Sequence, residues 1–298
     1  MFNILICGGT NSKFEYLKEV KQIGFKNFEK IHDLPSMEKG RFLFISVYIK
    51  GEIYVFGGYR EGERYRSRAQ SVDRYSFFTK TWKKVTDVPN KRQFFCACAF
   101  MDNIYLFGGR FYQHRNHNRY YVTRSCLLFD RNNFELKEVA KMHQAKTEAA
   151  CAVFEENIVV SGGKLFIKSN TVELYDVFAN TFIKMPNMIE ARSEHKLVSV
   201  KSKLFAIGGN NNKTSCEVFD KTCNRFVKLK TPKFHPYRFE PVSTSSKMLL
   251  FQHETKIVLS YDVDKDKWSK ESCEATEGIR FFSPVRVPSF QKTSIQLH

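Results

Sequence analysis

From Tyr59 to Ser71 the sequence reads YREGERYRSRAQS, and from Arg110 to Ser125 it reads RFYQHRNHNRYYVTRS. The cations of these stretches are Arg60, Arg64, Arg66, Arg68, Arg110, Arg115, Arg119 and Arg124, with no lysine among them. Tyr59, Tyr65, Phe111, Tyr112, Tyr120 and Tyr121 are interleaved with them. A guanidinium grips a carboxylate with two parallel bonds and stacks on aromatic rings. Each fully formed contact of this kind adds about 1.5–3 kcal/mol, and far less where it is exposed. An acidic peptide is the occupant this chemistry points to. A solvated basic surface and a phosphate or nucleic-acid surface are the other readings of the same residues.

The whole chain is basic, with 48 Lys and Arg against 31 Asp and Glu, a net charge of +17 over 298 residues. Attraction of this sign raises encounter rates with anions without naming one. Nucleic acid is disfavoured because the lysines are spread along the chain rather than gathered into a stripe. Other chemistries find little. His114 and His117 stand three apart, but among arginines that repel a cation. Cys96 and Cys98 share one face of a strand with no matching histidine pair nearby, so no metal is expected. No nucleophile elbow and no free phosphate-cradling glycine loop appears. The expectation is a non-enzymatic protein without cofactors.

No apolar run approaches the roughly 18 residues of a membrane-spanning helix. The opening MFNILICGG lacks a basic leader and is too short for a signal peptide. The eight cysteines therefore read as thiols of a cytoplasmic protein. Several of them, Cys7, Cys96, Cys98, Cys126 and Cys151, lie in apolar text where cysteine acts as a small hydrophobe.

A pair of glycines precedes each arginine-rich stretch, and these pairs belong to a repeat. They begin at Gly8, Gly57, Gly108, Gly162 and Gly208, with spacings of 49, 51, 54 and 46. A short apolar run leads into each: ILIC, IYVF, IYLF, IVVS and LFAI. A sixth run, MLLF, arrives on schedule, but Gln252-His253 replaces the glycines. After the pairs comes an aromatic-Asp step, at Phe129-Asp130, Tyr175-Asp176, Phe219-Asp220 and Tyr261-Asp262, with Tyr75-Ser76 in the second unit. Seven residues after each leading aromatic stands Trp82, Leu136, Phe182, Phe226 or Trp268, and Phe28 is the candidate of the first unit. Sixteen residues before a glycine pair stands a cation, at Arg41, Arg92, Lys146 and Arg192. Each unit holds four short strands, too closely spaced for crossover helices, so the sheets are antiparallel. One such sheet cannot bury both faces alone, and neighbours must stack.

The unit resembles the Kelch repeat, and the resemblance covers nearly the whole chain. It implies an all-β, six-bladed β-propeller over residues 1–287 with a tail at 288–298. The ring is expected to close by a C-terminal strand joining the N-terminal blade, because GIRFFSPVRV from Gly278 matches GRFLFISVY from Gly40, with Arg280 in the place of Arg41. The glycine pair then ends a strand in tight quarters at positive φ.

The chain looks like the Kelch half of BTB-Kelch (kelch-like) proteins. In that family one face of the propeller, built from the loops after the glycine pairs and the links between blades, binds partners. The corresponding residues are Arg60, Arg64, Arg66, Arg68, Arg110, Tyr112, Arg115, Arg119 and Tyr120. Arg41, Arg92 and Arg192 border the same face, where either partner contact or holding the inter-blade turn is open to them. The resemblance further implies substrate selection for a cullin-based ubiquitin ligase, with the cullin reached only through a BTB domain that these residues do not contain. Actin, whose surface is acidic, is the alternative partner.

Overall fold

The computed structural model describes residues 2–25, 27–62, 70–113, 116–209, 215–230 and 238–289. Their strands form six four-stranded antiparallel sheets. Blade 1 joins Ser283–Pro288 to Phe2–Thr10, Tyr16–Gly24 and Lys30–Leu34; blade 2 runs from Ile45–Ile49 to Thr81–Asp87, and blade 3 from Cys96–Phe100 to Glu135–Val139. Blade 4 runs from Thr147–Phe154 to Thr181–Met185, blade 5 from Lys196–Val200 to Arg225–Leu229, and blade 6 from Phe239–Ser243 to Lys267–Ser272. The first strand of every blade stands beside the first strands of both neighbours, and blade 6 meets blade 1, so the sheets form a closed ring. This is the expected six-bladed propeller.

Closure comes from the far end of the chain. Phe2 pairs with Pro288, Ile4 with Arg286 and Cys7 with Ser283. The register corrects one detail of the sequence match. Cys7 corresponds to Phe56, whose partner is Ile45, so Ser283 answers to Ile45 and Ile279 to Arg41. Arg280 bridges to Thr10 as Phe42 pairs with Tyr59. Arg280 therefore takes the place of Phe42, and blade 1 carries no cation in the Arg41 column.

The apolar runs are second strands, and they are buried on both faces: Ile53 to Phe56, Ile104 to Phe107 and Leu204 to Ile207 all lie inside. A sheet covered on both sides needs a continuous apolar run rather than alternation. The cover is the neighbouring blade. Six apolar clusters make up the core, and each is shared by two adjacent blades.

The aromatic-Asp step starts the turn between third and fourth strands. The carboxylates of Asp130, Asp176, Asp220 and Asp262 each accept the backbone N–H two residues on, at 2.8–3.1 Å, an Asx turn. Ser76 reaches the N–H of Thr79 with its hydroxyl instead. The residue seven on returns opposite the leading aromatic: Tyr75 faces Trp82, Tyr175 faces Phe182, and Tyr261 faces Trp268. The two tryptophans also tie blades together. Trp82 donates its indole N–H to the Pro35 carbonyl of blade 1 at 2.8 Å, and Trp268 donates to the Lys230 carbonyl of blade 5 at 3.1 Å. In blade 1 the facing pair is Ile23 and Lys30. Phe28 sits two residues earlier, in the turn at φ 55, and packs its ring on Phe251 of blade 6.

The glycine pairs stand where blades approach most closely. Gly108 has φ 61, and a Cβ there would lie 2.3 Å from the Lys146 carbonyl of blade 4. The same contact recurs from Gly8 to Arg41 and from Gly162 to Arg192. Gly109 and Gly163 donate their N–H groups to the carbonyls of Lys146 and Arg192, at 2.7 and 2.8 Å. Blade 6 does without glycine because its second strand continues to Gln252 and the left-handed residue moves on to Glu254, φ 66. His253 lies buried against Phe282, and its Nδ1 accepts the Phe281 N–H.

Gly108→Ala should lower stability by about 3 kcal/mol, since left-handed strain and a backbone clash both act. Gly51→Ala, at φ 78 with nothing near its Cβ position, should cost only about 1 kcal/mol. Urea unfolding of the two variants checks the difference.

Candidate partner-binding face

In a four-stranded antiparallel blade, the second-to-third loop and the link to the next blade emerge at the same end. The repeated cations stand at this end, beneath the loops. Arg41 donates to the Gly57 and Ser71 carbonyls, the Ser71 hydroxyl and, at 2.6 Å, the Asp73 carboxylate. Arg192 donates likewise to the Gly208 and Ser215 carbonyls and the Glu217 carboxylate, while the Ser215 hydroxyl donates to Glu190. Lys146 reaches the Thr171 carbonyl and lies 3.0 Å from Glu173. In blade 3 Leu127 replaces the acid, and Arg92 donates to the Gly108 and Ser125 carbonyls and the Ser125 hydroxyl. Burial lowers the Arg92 guanidinium below its ordinary value, and the distant Glu138 carboxylate opposes this. Arg41, Arg92 and Arg192 are all buried, and their donors hold the start of the third strand against the end of the second.

Two residues past each cation position the chain turns left-handed. Leu43, Phe94, Glu148, Glu194, Arg238 and Phe281 all have φ between 51 and 58. They lead into the six first strands and so encircle the mouth of the ring. Glu148 donates its N–H to the Phe94 carbonyl at 2.8 Å, and Glu194 to that of Glu148 at 2.9 Å. The rim is apolar on blades 1 to 3 and charged on blades 4 to 6.

Between blades 3 and 4 this rim meets the arginine-rich text. Gln93 and Arg110 exchange backbone hydrogen bonds at 2.8 Å, which fixes Arg110 over the rim. Its guanidinium lies 4.3 Å from the Phe94 ring and 4.7 Å from that of Tyr120. Glu148 Oε1 is 3.9 Å away, and Glu148 Oε2 receives Lys164 of blade 4 at 2.7 Å. One carboxylate is thus shared by two cations, and the cluster keeps a net positive charge. The hairpin of Arg110–Gln113 and Asn116–Val122 carries Tyr120 and Tyr121 outward, both about half exposed. Tyr112 faces Tyr120 across it, with ring centroids 6.0 Å apart.

Arg110, Tyr112 and Tyr120 therefore come together as one group. Arg60 stands apart on blade 2, bonded to Glu38 at 2.9 Å and 4.0 Å from Asp73. Arg64, Arg66, Arg68 and Arg115 lie outside the described residues, as does the side chain of Arg119. Phe94, Glu148 and Lys164 were missed by residue type. They were accessible by phase, since Phe94 and Glu148 occupy one column of the repeat, two residues after the cation.

The KLHDC2/KLHL20/DRC7 Kelch-repeats domain family matches residues 3–209 and again 45–258. The chain belongs to the Kelch-repeat family. It is 25% identical over 213 residues to Kelch-like protein 40 of Xenopus laevis, covering 69% of this chain and 33% of that protein. It is likewise 25% identical over 206 residues to Kelch-like protein 25 of Xenopus tropicalis, covering 62% and 33%. Spermatocyte protein spe-26 of Caenorhabditis elegans is 25% identical over 175 residues, or 55% and 28% of the two chains. The Kelch chain thus spans about a third of the length of these relatives. As in kelch-like proteins, the propeller is a protein-interaction domain. All eight cysteines of this Kelch ring are free thiols, and among the described residues no His, Cys, Asp or Glu cluster could hold a metal ion and no helix is long and apolar enough to cross a membrane.

Two buried histidines lie near the same end. His195 is bonded to Ser161 through Nε2 at 2.8 Å. Burial, reinforced by Arg192, Lys196 and Lys146, lowers it to about 3. His253 is lowered to about 3 by burial and by Lys196 and Arg238. Burial would raise the Glu173 carboxyl, but Lys146 and the bonds from His143 prevail and hold it below its ordinary value. Below about pH 6.5 the unfolded chain binds protons that the folded histidines refuse, so stability falls with pH down to about 3. The slope is about 1.4 kcal/mol per pH unit for each histidine. The stability contributed by Glu173 is present above the ordinary carboxylate pKa and is lost progressively as pH falls from there through its lowered folded value. Thermal unfolding between pH 7 and 5 should therefore show a steep loss in the native chain, and a shallower one in His195→Asn and His253→Asn.

Proposed function

We propose that this propeller captures an acidic segment of a protein partner on its loop face, as the recognition half of a kelch-like adaptor for a cullin-based ubiquitin ligase. The observation that carries the first part is the Phe94–Arg110–Tyr120 stack over Glu148 and Lys164. An arginine held between two rings is pre-organised, so little conformational freedom is lost when a carboxylate docks. Tyr112 lies beside Tyr120 in this group, and the arginines at 60, 64, 66, 68, 115 and 119 add positive charge to the same two stretches of sequence. Arg41, Arg92 and Arg192 serve this face from below, by holding the turns that carry those loops. The ligase role rests on the kelch-like relatives alone.

The net charge of +17 also suits the acidic surface of actin. Two assays separate the readings. In a pull-down from cytosol identified by mass spectrometry, the native chain should retain a partner with an acidic segment. R66E/R119E should lose it by a factor of about 10² or more while unfolding at an unchanged temperature. Unaltered capture by that variant would remove these loops from the site. Co-sedimentation with actin filaments that falls steeply with salt would instead favour the cytoskeletal reading.

A further inference from the structure

The loop after the glycine pair of blade 4 was not singled out by charge, because its centre is apolar. It reads Lys164-Leu165-Phe166-Ile167-Lys168. Lys164 bridges to Lys168, so Leu165, Phe166 and Ile167 form the tip of a tight hairpin. They are 42%, 92% and 83% exposed. The backbone below is firmly held. Ser169 donates its N–H to Gly163 at 2.8 Å, and Arg192 donates its own to Ser169 at 2.9 Å. The Ser169 and Thr171 hydroxyls are 2.8 Å apart. Arg192, buried beneath the face, thus fixes this tip through its main chain.

Single exposed apolar residues are common and need no explanation. Phe78 and Phe178 are of that kind, each alone in a turn at the other end of its blade. The blade 4 tip differs in two respects: its apolar residues are consecutive, and it stands on the candidate partner-binding face. Its base is Lys164, which shares Glu148 with Arg110. Tyr120 and Tyr121 of blade 3 rise on the other side, 43% and 49% exposed. A cationic floor therefore lies between an aromatic wall and an apolar tip.

Building on the acidic-segment reading, we infer that the partner segment is mixed. It carries at least two apolar side chains beside its carboxylates, and these pack on Phe166 and Ile167 while a carboxylate meets Arg110 and Lys164. Charge complementarity selects the occupant, since two cations share the only carboxylate of this floor among the described residues. Area burial supplies the affinity, as large apolar residues at the centre of an interface dominate binding. An ordered tip loses little freedom on docking, so most of that burial appears as affinity.

The test is selection of a phage-displayed library of random peptides on the full chain, followed by affinities for the enriched peptides. The variants are L165S/F166S/I167S and, as a milder change, F166S. Thermal unfolding should be unchanged in both, as these side chains have little to lose on the surface. The native chain should enrich peptides in which Asp or Glu lies within a few positions of Leu, Ile, Phe, Tyr or Trp. The triple variant should bind those peptides about tenfold more weakly or worse, and F166S by a smaller factor. R66E/R119E should weaken them through their acidic positions.

Enrichment of purely acidic peptides that bind the triple variant equally well would overturn the mixed segment and leave acidic capture standing. Enrichment without acidic residues would overturn both. Binding to phosphatidylserine vesicles that depends on the tip, with no peptide enriched, would assign the tip to a membrane surface and overturn the inference.

Discussion

The ring depends on one close approach. The carbonyl of the residue that opens a blade lies where a side chain of the preceding blade would have to be. Lys146 and Arg192 bring their carbonyls to Gly108 and Gly162, and the next glycine donates a hydrogen bond to the same oxygen. The side chain of that same residue then reaches the other way, into its own blade. One residue therefore joins two blades, by main chain backward and by side chain forward. Its charge is needed because several carbonyls and a carboxylate converge there, and an unfilled set of buried acceptors would be costly.

This arrangement explains why the series of buried cations stands so close to the candidate partner-binding face without forming its outer surface. A cation that holds the turn must be buried to be effective, and a buried cation is not offered to a partner. Its influence on recognition is indirect. Arg192 supports the blade 4 hairpin through Ser169, and the residues two past the cations form the rim. The exposed chemistry is left to the loops, which are free to vary because the ring carries the stability.

The apolar core follows the same logic. Among the described residues no blade has a core of its own, and each cluster belongs to two neighbours. Stability is then shared around the ring, and an open seam would leave two apolar faces in water. Pairing of Phe2–Thr10 with Ser283–Pro288 prevents that. Blade 6 shows how much variation the plan tolerates: with no glycine pair, it passes the left-handed turn to Glu254 and packs a neutral imidazole against Phe282.

The repeat was legible in the sequence because it follows from local geometry and two-sided burial. A strand covered on both faces has to be apolar throughout, a tight left-handed approach has to be glycine, and a turn capped by its first side chain begins with Asp or, through a hydroxyl, Ser. These demands recur in most blades, so period, blade number and closure could be read from residue types alone. Register and role could not. Ile279 rather than Arg280 answers to Arg41, because only strand pairing counts residues across the seam. Whether an arginine is a clamp or a surface group depends on its partners from distant parts of the chain, such as Asp73 for Arg41 or the Phe94 and Tyr120 rings for Arg110. The exposure of Phe166 and Ile167 was likewise decided in three dimensions, since an apolar triplet in the sequence looks the same whether a neighbouring blade covers it or not.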